Sequence, residues 1–367
     1  MKKIFHLTSS HPRYDTRIFF KECISISRNG YNTCLFVSDN QDDEIINQVS
    51  IYNLNYKRYK SRFLKIIFFY KNFLKTIKSS SPSIIHFHDP ELLFLGAILK
   101  SKGFKIIYDI HENTHLQILE KSYLPKALRG FFSSIFFYLE RKISQHFDGI
   151  VYATQGIKNF HLNYSGKNQI INNFPLVDEF NSNLKQRKNS KEIIFVGGIN
   201  KIRGIIPLIK SIYKSEIKLN LVGNFLEKDL LKTLERVNGW SNVNYFGYCN
   251  RDKINELMAR SIVGIVTFLN APNHVDSQPN KIFEYMSAGL PVIASNFDLW
   301  REIIEKNNCG FCVNPTDLNE IKSAIFEILG NPRKAKELGE NGRRAIVEKY
   351  NWNNEEKKLI KLYEELI

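Results

Sequence analysis

The chain has 367 residues, of which 43% are hydrophobic and 24% charged, including 27 Phe and 17 Tyr. This composition excludes a disordered chain, since so many aromatic residues can fill large hydrophobic cores, and the length predicts two domains of about 150 residues each. Lys and Arg together number 52 against 37 Asp and Glu, so the net charge of +15 indicates an anionic partner: nucleic acid, an acidic membrane face or a phosphorylated ligand.

Targeting signals, cysteines and metal-ligand patterns bear on location and cofactors. No stretch of the sequence reaches the ~18 apolar residues of a membrane span, and residues 1–7 lack the apolar core of a secretory signal. Five scattered cysteines favour reduced thiols, so we expect a cytoplasmic protein. The sequence has no Asp-X-Asp in a suitable loop and no His or Cys cluster at metal-ligand spacing, so we expect no bound metal and no cofactor.

Short apolar runs alternate with amphipathic stretches in the first half of the chain. Runs such as Ile84-Ile85-His86-Phe87 are apolar on both faces, as buried parallel strands are. Strands are predicted at 3–7, 33–37, 83–87, 105–110 and 149–153, and helices near 17–29, 62–78, 91–102 and 126–146. This alternation predicts a doubly wound parallel sheet.

The second half repeats this pattern after a polar, aperiodic stretch at 176–191, which predicts a linker. Strands are then predicted near 193–196, 217–222, 242–246, 262–266, 291–294 and 310–313. The expected fold is therefore α/β, with two Rossmann-like doubly wound parallel-sheet domains facing across a cleft, where ligands bind beyond the carboxyl ends of the strands. The predicted organisation is a first domain at 1–175, the linker at 176–191, a second domain at 192–350 and a final helix at 351–367.

The segment 272–302 carries the clearest site pattern. Pro279 suits the first turn of a helix that Gly289 ends, so the preceding loop leads into a helix N-terminus, which attracts anions. Lys281 adds a positive charge in that first turn. Asp276 on the loop can take a sugar hydroxyl and Glu284 on the helix a ribose diol. The alternative is a capped helix with two solvated carboxylates.

A second segment, 195–204, follows a predicted strand. Gly197 and Gly198 let the backbone approach a ligand closely. Lys201 and Arg203 come next, within reach of a diphosphate, and arginine offers a planar fork that suits phosphate oxygens. A plain structural turn is the alternative.

These two segments resemble those of family 4 glycosyltransferases with the GT-B fold, in the branch that builds bacterial surface polysaccharides such as O-antigen and capsule. That family's donor motif is a carboxylate, seven residues and a glutamate, followed by Ala-Gly-Leu-Pro-Val-Ile-Ala-Ser; here it runs from Asp276 to Glu284 and from Ala288 to Ser295. The chain departs from the family at Asp276, usually Glu, and in its phosphate motif, which has Gly198 in place of the first cation and Arg203 in place of Lys.

The amino-terminal half resembles the same family. Its first loop, with His11, Asp15 and Arg17, resembles the loop near the acceptor, and the segments 86–91 and 108–112 resemble strand ends that face the cleft. The resemblance implies that His111 touches the transferred sugar, and that His11, Asp15, Arg17 and His88 bind the acceptor. From the residues alone, the alternative for each histidine is a structural role, and for Arg17 a solvated position on a helix.

The resemblance implies retaining transfer of a sugar, without a metal, from a nucleotide-diphosphate sugar to a saccharide held on a polyprenyl-diphosphate lipid. It also implies that the final helix crosses back to the first domain. The catalytic residues would be His111, Asp276, Glu284 and Arg203. The donor site would contain Gly197, Gly198, Lys201, Arg203, Tyr248, Ser277, Asn280, Lys281 and Glu284.

Two basic amphipathic segments can account for the positive charge. From Lys57 to Lys78 there are eight Lys or Arg residues and no acid. We expect a core stripe of Phe63, Ile66, Ile67, Tyr70, Leu74 and Ile77, with Leu64 and Phe68 outside it among lysines. In the helix predicted at 126–146 we expect a core stripe of Leu128, Phe131, Phe132, Ile135, Tyr138 and Leu139, with Phe137 outside it.

Apolar residues set among lysines favour docking on the anionic cytoplasmic face of the inner membrane, and the alternative is a solvated basic face. Two other functions stay open from the sequence. A nucleotide-sugar 2-epimerase would have a similar fold. A nucleic-acid-binding protein would explain the charge, but no helix-turn-helix, zinc finger or RNA-binding signature is visible, so we expect no nucleic-acid partner.

Overall fold

The computed structural model describes residues 2–54, 62–78, 80–121, 124–161, 163–180, 190–275 and 277–367. The chain divides into two compact units. Unit 1 contains Met1–Asn173 and Asn354–Ile367, and unit 2 contains Phe174–Asn353. Each unit has a parallel β-sheet with helices around it, the doubly wound α/β arrangement that strand–helix alternation predicts.

The sheet of unit 1 has the strand order β3-β4-β2-β1-β5-β6-β7-β8. The strand β3 pairs antiparallel with β4, and the other neighbours are parallel. Its central strands are buried on both faces, as their apolar runs predict. The strands are β1 (Lys3–Leu7), β2 (Asn32–Val37), β3 (Glu44–Ile46), β4 (Val49–Asn53), β5 (Ile84–Phe87), β6 (Ile106–Ile110), β7 (Gly149–Tyr152) and β8 (Lys167–Ile170).

Helices connect these strands. The first begins as a π-helix at Thr16–Cys23, capped by the Asp15 side chain, and a 3₁₀ turn at Pro90–Leu92 precedes the third. The α-helices are α1 (Ile24–Arg28), α2 (Arg62–Ile77), α3 (Leu93–Ser101), α4 (Thr114–Glu120), α5 (Lys126–Ser144) and α6 (Gln155–Asn159).

The sheet of unit 2 is parallel throughout and has the order β11-β10-β9-β12-β13-β14. Its strands are β9 (Glu192–Val196), β10 (Lys218–Val222), β11 (Val243–Gly247), β12 (Val263–Val266), β13 (Val292–Ser295) and β14 (Gly310–Val313). The helices that follow are α7 (Ile205–Ser211), α8 (Leu230–Leu234), α9 (Arg251–Arg260), α10 (Pro272–Val275), α11 (Asn280–Ser287), α12 (Asp298–Lys306), α13 (Leu318–Gly330), α14 (Pro332–Glu348) and α15 (Trp352–Leu366), with 3₁₀ turns at Lys201–Arg203 and Trp240–Asn242.

Two stretches near the unit boundaries show which parts of the chain belong to each unit. Phe174 and Phe180 are buried in the core of unit 2, so the predicted linker begins as part of that unit and Phe180 packs in its core. The remainder of that linker lies outside the described residues up to residue 189. From Asn354 onward, α15 belongs to unit 1, where the Tyr363 hydroxyl lies 2.6 Å from His86 Nδ1.

The order of strands places one switch point in each sheet. In unit 1 the chain builds outward from β1 through β2, then returns to add β5 on the other side of β1. In unit 2 it builds outward from β9 through β10, then returns to add β12 on the other side of β9. The loops after the two strands at a switch point diverge to opposite faces, and ligands bind in the crevice between them.

The apolar stripe predicted as the core face of α5 is instead its exposed face. Five of its six members are 40% to 62% exposed: Leu128, Phe131, Phe132, Ile135 and Tyr138. Phe137, expected to point outward, is half-buried, and its ring centroid lies 4.4 Å from that of His115. The helical period was right but the face was wrong, because periodicity does not tell which side the rest of the fold covers.

The prediction for α2 also needs correction. Phe69, Phe73 and Ile77 carry its buried face, whereas Ile67, assigned to the core, is 44% exposed. Leu64 is exposed at 41%, as expected. The Phe63 side chain and residues 57–61 of this basic segment lie outside the description. In the described ranges, none of the helices combines the length and the apolar character needed to cross a membrane.

Candidate functional site

In unit 2, the loop after β9 carries the predicted glycine turn. Gly197 has φ +145° and Gly204 φ +72°, two backbone conformations that favour glycine. A Cβ added to Gly204 would come 1.7 Å from the Thr267 carbonyl oxygen. The turn Lys201–Arg203 is therefore pressed against the end of β12, at the switch point of the sheet.

Arg203 is fixed at this switch point by three contacts. Its backbone N–H donates to the Asn200 side chain at 2.9 Å, and its Nη1 donates to the Gly198 carbonyl at 3.2 Å. Its guanidinium carbon lies 5.2 Å from the centroid of the Phe268 ring, in the loop after β12. The structure thus brings Gly197, Gly198 and Arg203 together at the carboxyl edge of the sheet.

The loop after β12 leads into α11, where the donor motif lies. The Ser277 hydroxyl donates to the His274 carbonyl at 2.8 Å, and the Trp300 indole N–H donates to the Ser277 carbonyl at 2.7 Å. The helix begins at Asn280, which is exposed. Its Tyr285 hydroxyl accepts the N–H of Val196 at 2.9 Å, which ties α11 to the end of β9. The predicted site residue Asp276 lies outside the described residues.

Glu284 is buried in α11 beside two cations. Its Oε2 forms an ion pair with Lys281 Nζ and lies 3.3 Å from Arg251 Nη1. Arg251 also pairs with Glu179, whose Oε1 lies 2.9 Å from its Nε. Burial lowers the pKa of Arg251, but the charges of Glu284 and Glu179 outweigh it and raise that pKa. Arg251 therefore stays charged beside both carboxylates.

Two predicted donor residues, Lys201 and Tyr248, take no part in the contacts described above. The Lys201 Nζ points to Glu227, 3.8 Å away, and the Lys201 N–H donates to the same carboxylate at 2.7 Å. Tyr248 follows β11, two strands away from β9, and is 79% exposed. Sequence reasoning missed Arg251 and Glu179, because each is distant in the chain from Glu284 and neither belongs to a motif.

In unit 1, the loop after β1 wraps around Asp89, which follows β5. The Thr8 hydroxyl donates to Asp89 Oδ2 at 2.8 Å, and the Ser9 N–H donates to the same oxygen at 2.6 Å. His11 Nδ1 lies 2.8 Å from Asp89 Oδ1. Burial would raise the pKa of Asp89, but its bonds to His11, Ser10 and Thr8 hold that pKa well below its usual range.

His111 lies at the same edge, after β6. Its Nε2 is 2.9 Å from Asp109 Oδ2 and 3.3 Å from His88 Nδ1, and its ring centroid lies 5.2 Å from that of His11. The side chains of His11 and His111 are 32% and 16% exposed, whereas His88 is buried. His11 and His111 are thus accessible to a ligand.

Asp15, Arg17 and His88 were predicted to touch the acceptor, and the structure gives them internal partners. The Asp15 carboxylate caps the π-helix by accepting the Arg17 N–H at 2.8 Å. Arg17 is 3% exposed, and its guanidinium donates to both Asp109 oxygens at 3.0 and 3.1 Å. Arg17 and His88 therefore position Asp109 and His111 and do not reach the surface themselves.

Two family models match the chain. The model for glycosyl transferases group 1 matches residues 177–345, and the model for glycosyltransferase family 4 matches residues 24–174. Together they cover most of unit 2 and most of unit 1.

Similar proteins point the same way. An uncharacterized glycosyltransferase of Methanocaldococcus jannaschii is 24% identical over 332 residues, 89% of this chain and 88% of that protein. An uncharacterized 41.2 kDa protein in the cps region of Klebsiella pneumoniae is 24% identical over 275 residues, 68% of this chain and 70% of that protein. The structure of Anabaena HepE in complex with UDP-glucose matches with a TM-score of 0.74 at 16% identity, over 98% of this chain and 99% of that chain. The chain is therefore a glycosyltransferase of the GT-B fold, with an amino-terminal family 4-like domain and a carboxyl-terminal group 1 domain.

Proposed function

We propose that this glycosyltransferase moves a sugar, with retention of anomeric configuration, from a nucleotide-diphosphate sugar to a saccharide on a polyprenyl-diphosphate lipid. The reaction serves bacterial surface polysaccharide synthesis at the cytoplasmic face of the inner membrane. It uses no cofactor beyond the donor co-substrate and no metal at the diphosphate. The likeness to a protein of the cps region of Klebsiella pneumoniae supports this setting.

The observation that carries the proposal is the set of positively charged side chains at the switch point of unit 2. Breaking the bond between sugar and phosphate leaves negative charge on the nucleoside diphosphate. In this proposal, Arg203 in the turn after β9 and Lys281 in the first turn of α11 stabilise that charge, together with the N–H groups of the helix N-terminus. Removal of one such donor costs about 10²–10³ in rate.

The carboxylates of the donor motif bind the sugar and the ribose in this proposal. Glu284 holds the ribose hydroxyls, because Lys281 and Arg251 fix its carboxylate at the start of the helix. Asp276, which precedes α11 in the sequence, contacts the transferred sugar. The base lies near Tyr248, which follows β11, and both uridine and guanosine stay open as the base.

The acceptor side of the reaction belongs to unit 1. His111 contacts the transferred sugar and His11 the acceptor, since these two side chains are accessible at the edge of the sheet. Asp109 holds the His111 ring through its Nε2, and Arg17 holds Asp109. A ring fixed in this way keeps one orientation and one tautomer, as a group that contacts a transition state must.

A lipid-linked acceptor requires the enzyme to work at a membrane surface, and α5 supplies a suitable face. Its exposed apolar side chains are flanked by the exposed cations Lys126 and Lys142, and its single acid, Glu140, is buried. On α2, the exposed Leu64 and Ile67 lie among lysines in the same way. Apolar side chains insert at the headgroup level while the cations attract anionic lipids.

A transfer assay tests the proposal. The full chain is incubated with UDP-, GDP-, ADP- and dTDP-sugars and with polyprenyl-diphosphate saccharides, and the lipid fraction is analysed by mass spectrometry. We expect one acceptor to gain one sugar, and NMR of the product to show the anomeric configuration of the donor. Conversion of the donor to an epimer without acceptor, or an inverted linkage, would contradict the proposal. Nucleic acid is not a partner in this proposal.

A further inference from the structure

Beneath the accessible edge of unit 1, four side chains form a buried cluster, of which only His88 has a part in the site described so far. We call His6, Glu22, His86 and His88 the buried histidine cluster. They come from β1, the π-helix Thr16–Cys23, β5 and the residue after β5, and all four are at most 1% exposed. One nitrogen or carboxylate oxygen from each lies within 4.8 Å of the others.

The distances inside the cluster are near those of a four-coordinate metal site. His6 Nδ1 lies 2.9 Å from His88 Nε2, and each of these nitrogens lies 3.9 Å from Glu22 Oε2. Zinc–ligand bonds of about 2.0–2.1 Å in a tetrahedron require ligand atoms about 3.3 Å apart. Shifts of a few tenths of an ångström in each of His6, Glu22 and His88 would bring these three ligand atoms to that spacing, and the ligand atom of His86 lies within 4.8 Å of them.

The outer nitrogen of each ring already has an oxygen partner. His88 Nδ1 lies 3.2 Å from Asp109 Oδ2, and the Tyr363 hydroxyl lies 2.6 Å from His86 Nδ1 and 3.2 Å from His6 Nε2. Metal-binding histidines have this arrangement, in which the second N–H is donated to a carboxylate or another oxygen and fixes the tautomer. If these N–H groups donate outward, every lone pair of the rings faces the centre of the cluster.

The hydrogen bond between His6 Nδ1 and His88 Nε2 leaves the rest of the centre of the cluster incompletely satisfied. Within the described ranges, His86 Nε2 is buried and has no hydrogen-bond partner. Glu22 Oε1 lies 3.0 Å from Arg17 Nε. A buried polar atom left without a partner destabilises the folded state.

The ligand types suit a divalent cation. Three imidazoles and one carboxylate are groups that zinc binds in proteins. The positive charge of Arg17, which lies beside Glu22, is balanced by Asp109, 3.0 Å away.

We propose that the buried histidine cluster binds one divalent transition-metal ion, with Zn²⁺ the best match to three imidazoles and one carboxylate. All four ligands come from the protein and none is accessible, so the site is structural and not catalytic. The ion would tie β1, β5 and the π-helix together beneath His11 and His111. This departs from the expectation of no bound metal, which rested on sequence spacing and missed residues as far apart as His6 and His88.

Metal analysis of the full chain tests the site. Protein loaded with Zn²⁺ and then dialysed into metal-free buffer should retain about one zinc per chain, and stripping it with a strong chelator should lower the melting temperature by several degrees. Reconstitution with Co²⁺ should give the visible absorption of a tetrahedral N/O site. Less than about a tenth of an equivalent of zinc, with an unchanged melting temperature after chelation, would overturn the proposal.

Variants locate the bound ion. His86→Gln and Glu22→Gln should each reduce retained zinc at least tenfold. His161→Gln is the matched control, since His161 is also a buried histidine of unit 1 beside a glutamate, 3.8 Å from Glu140, and should retain zinc like the wild type. If the wild type and all three variants retained equal zinc, the proposed site would be refuted. If a cluster variant does not fold, the zinc content and Co²⁺ spectrum of the wild type decide the question.

Discussion

Replacing Phe131 and Tyr138 by serine removes the two most exposed aromatic side chains of α5, which are 61% and 62% exposed. If α5 docks on the membrane, this double variant should bind anionic vesicles much more weakly. The fold should tolerate it, because substitutions at exposed positions usually change the free energy of unfolding by less than about 0.5 kcal/mol.

The size of the effect follows from the exposed area. An aromatic side chain presents about 200 Å², so the exposed share of each ring is about 120 Å². Full burial of that area would contribute about 3 kcal/mol at about 25 cal/mol per Å². A helix lying at the headgroup level buries about half of it. The two rings together then contribute about 3 kcal/mol, which corresponds to a loss of about 10²-fold in affinity.

Co-sedimentation with vesicles of phosphatidylglycerol and phosphatidylethanolamine at low salt measures this affinity. The matched control is Phe326→Ser, which removes an aromatic ring of unit 2 that is 45% exposed on α13. We expect the control to bind like the wild type. Equal binding by the double variant and the wild type, or no binding by the wild type, would show that α5 is not a docking face.

Three further results are expected. Arg203→Ala should lower kcat about 10²–10³-fold in a donor-turnover assay while changing KM less, because the charge it stabilises develops in the transition state; Arg301→Ala, which breaks an exposed ion pair on α12, should leave kcat unchanged. Gly204→Ala should lower the free energy of unfolding in urea by more than about 2 kcal/mol, because its φ is +72° and the added Cβ meets backbone. Gly330→Ala, with nothing within 4 Å of the added Cβ, should be neutral or slightly stabilising. Although burial lowers the pKa of His11, the carboxylate bonded to it raises that pKa above 6.5. The pairing of His11 with Asp89 therefore stabilises the folded state below pH 6.5, and this stabilisation is lost as the pH rises through the raised pKa of His11. An NMR titration of the His11 ring, with urea unfolding at the same pH values, would follow the loss.

Much of the fold could be predicted from the sequence because its central strands are apolar on both faces. Runs such as 84–87 and 292–295 are long enough to identify and too apolar to lie at a surface. The strands β3, β4 and β8, at or next to the edges of the sheet, were missed, since each has at most five residues and only pairing with a neighbour defines them. The exposed face of α5 was assigned wrongly for a related reason: its period is visible in sequence, but what packs against it is not.

The candidate site, like the fold, could be predicted from the sequence only in part. Motif spacing placed Gly197, Arg203 and Glu284, because the turn after β9 and the first turns of α11 are local structures. Arg251 and Asp109, which hold Glu284 and His111, were not identified as partners, because the sheet order brings them together from distant parts of the chain.

Nucleotide binding by unit 2 is most directly measured by thermal unfolding of the purified chain with UDP-, GDP-, ADP- and dTDP-sugars and the free nucleotides. A ligand present at 100 times its Kd stabilises the folded state by about 2.7 kcal/mol, which raises the melting temperature by about 5–10 °C for a unit of this size. We expect such a shift with one nucleotide family, reduced by Lys281→Ala and kept in Arg301→Ala. No shift with any nucleotide, at concentrations up to the millimolar range, would contradict a donor site at the switch point of unit 2.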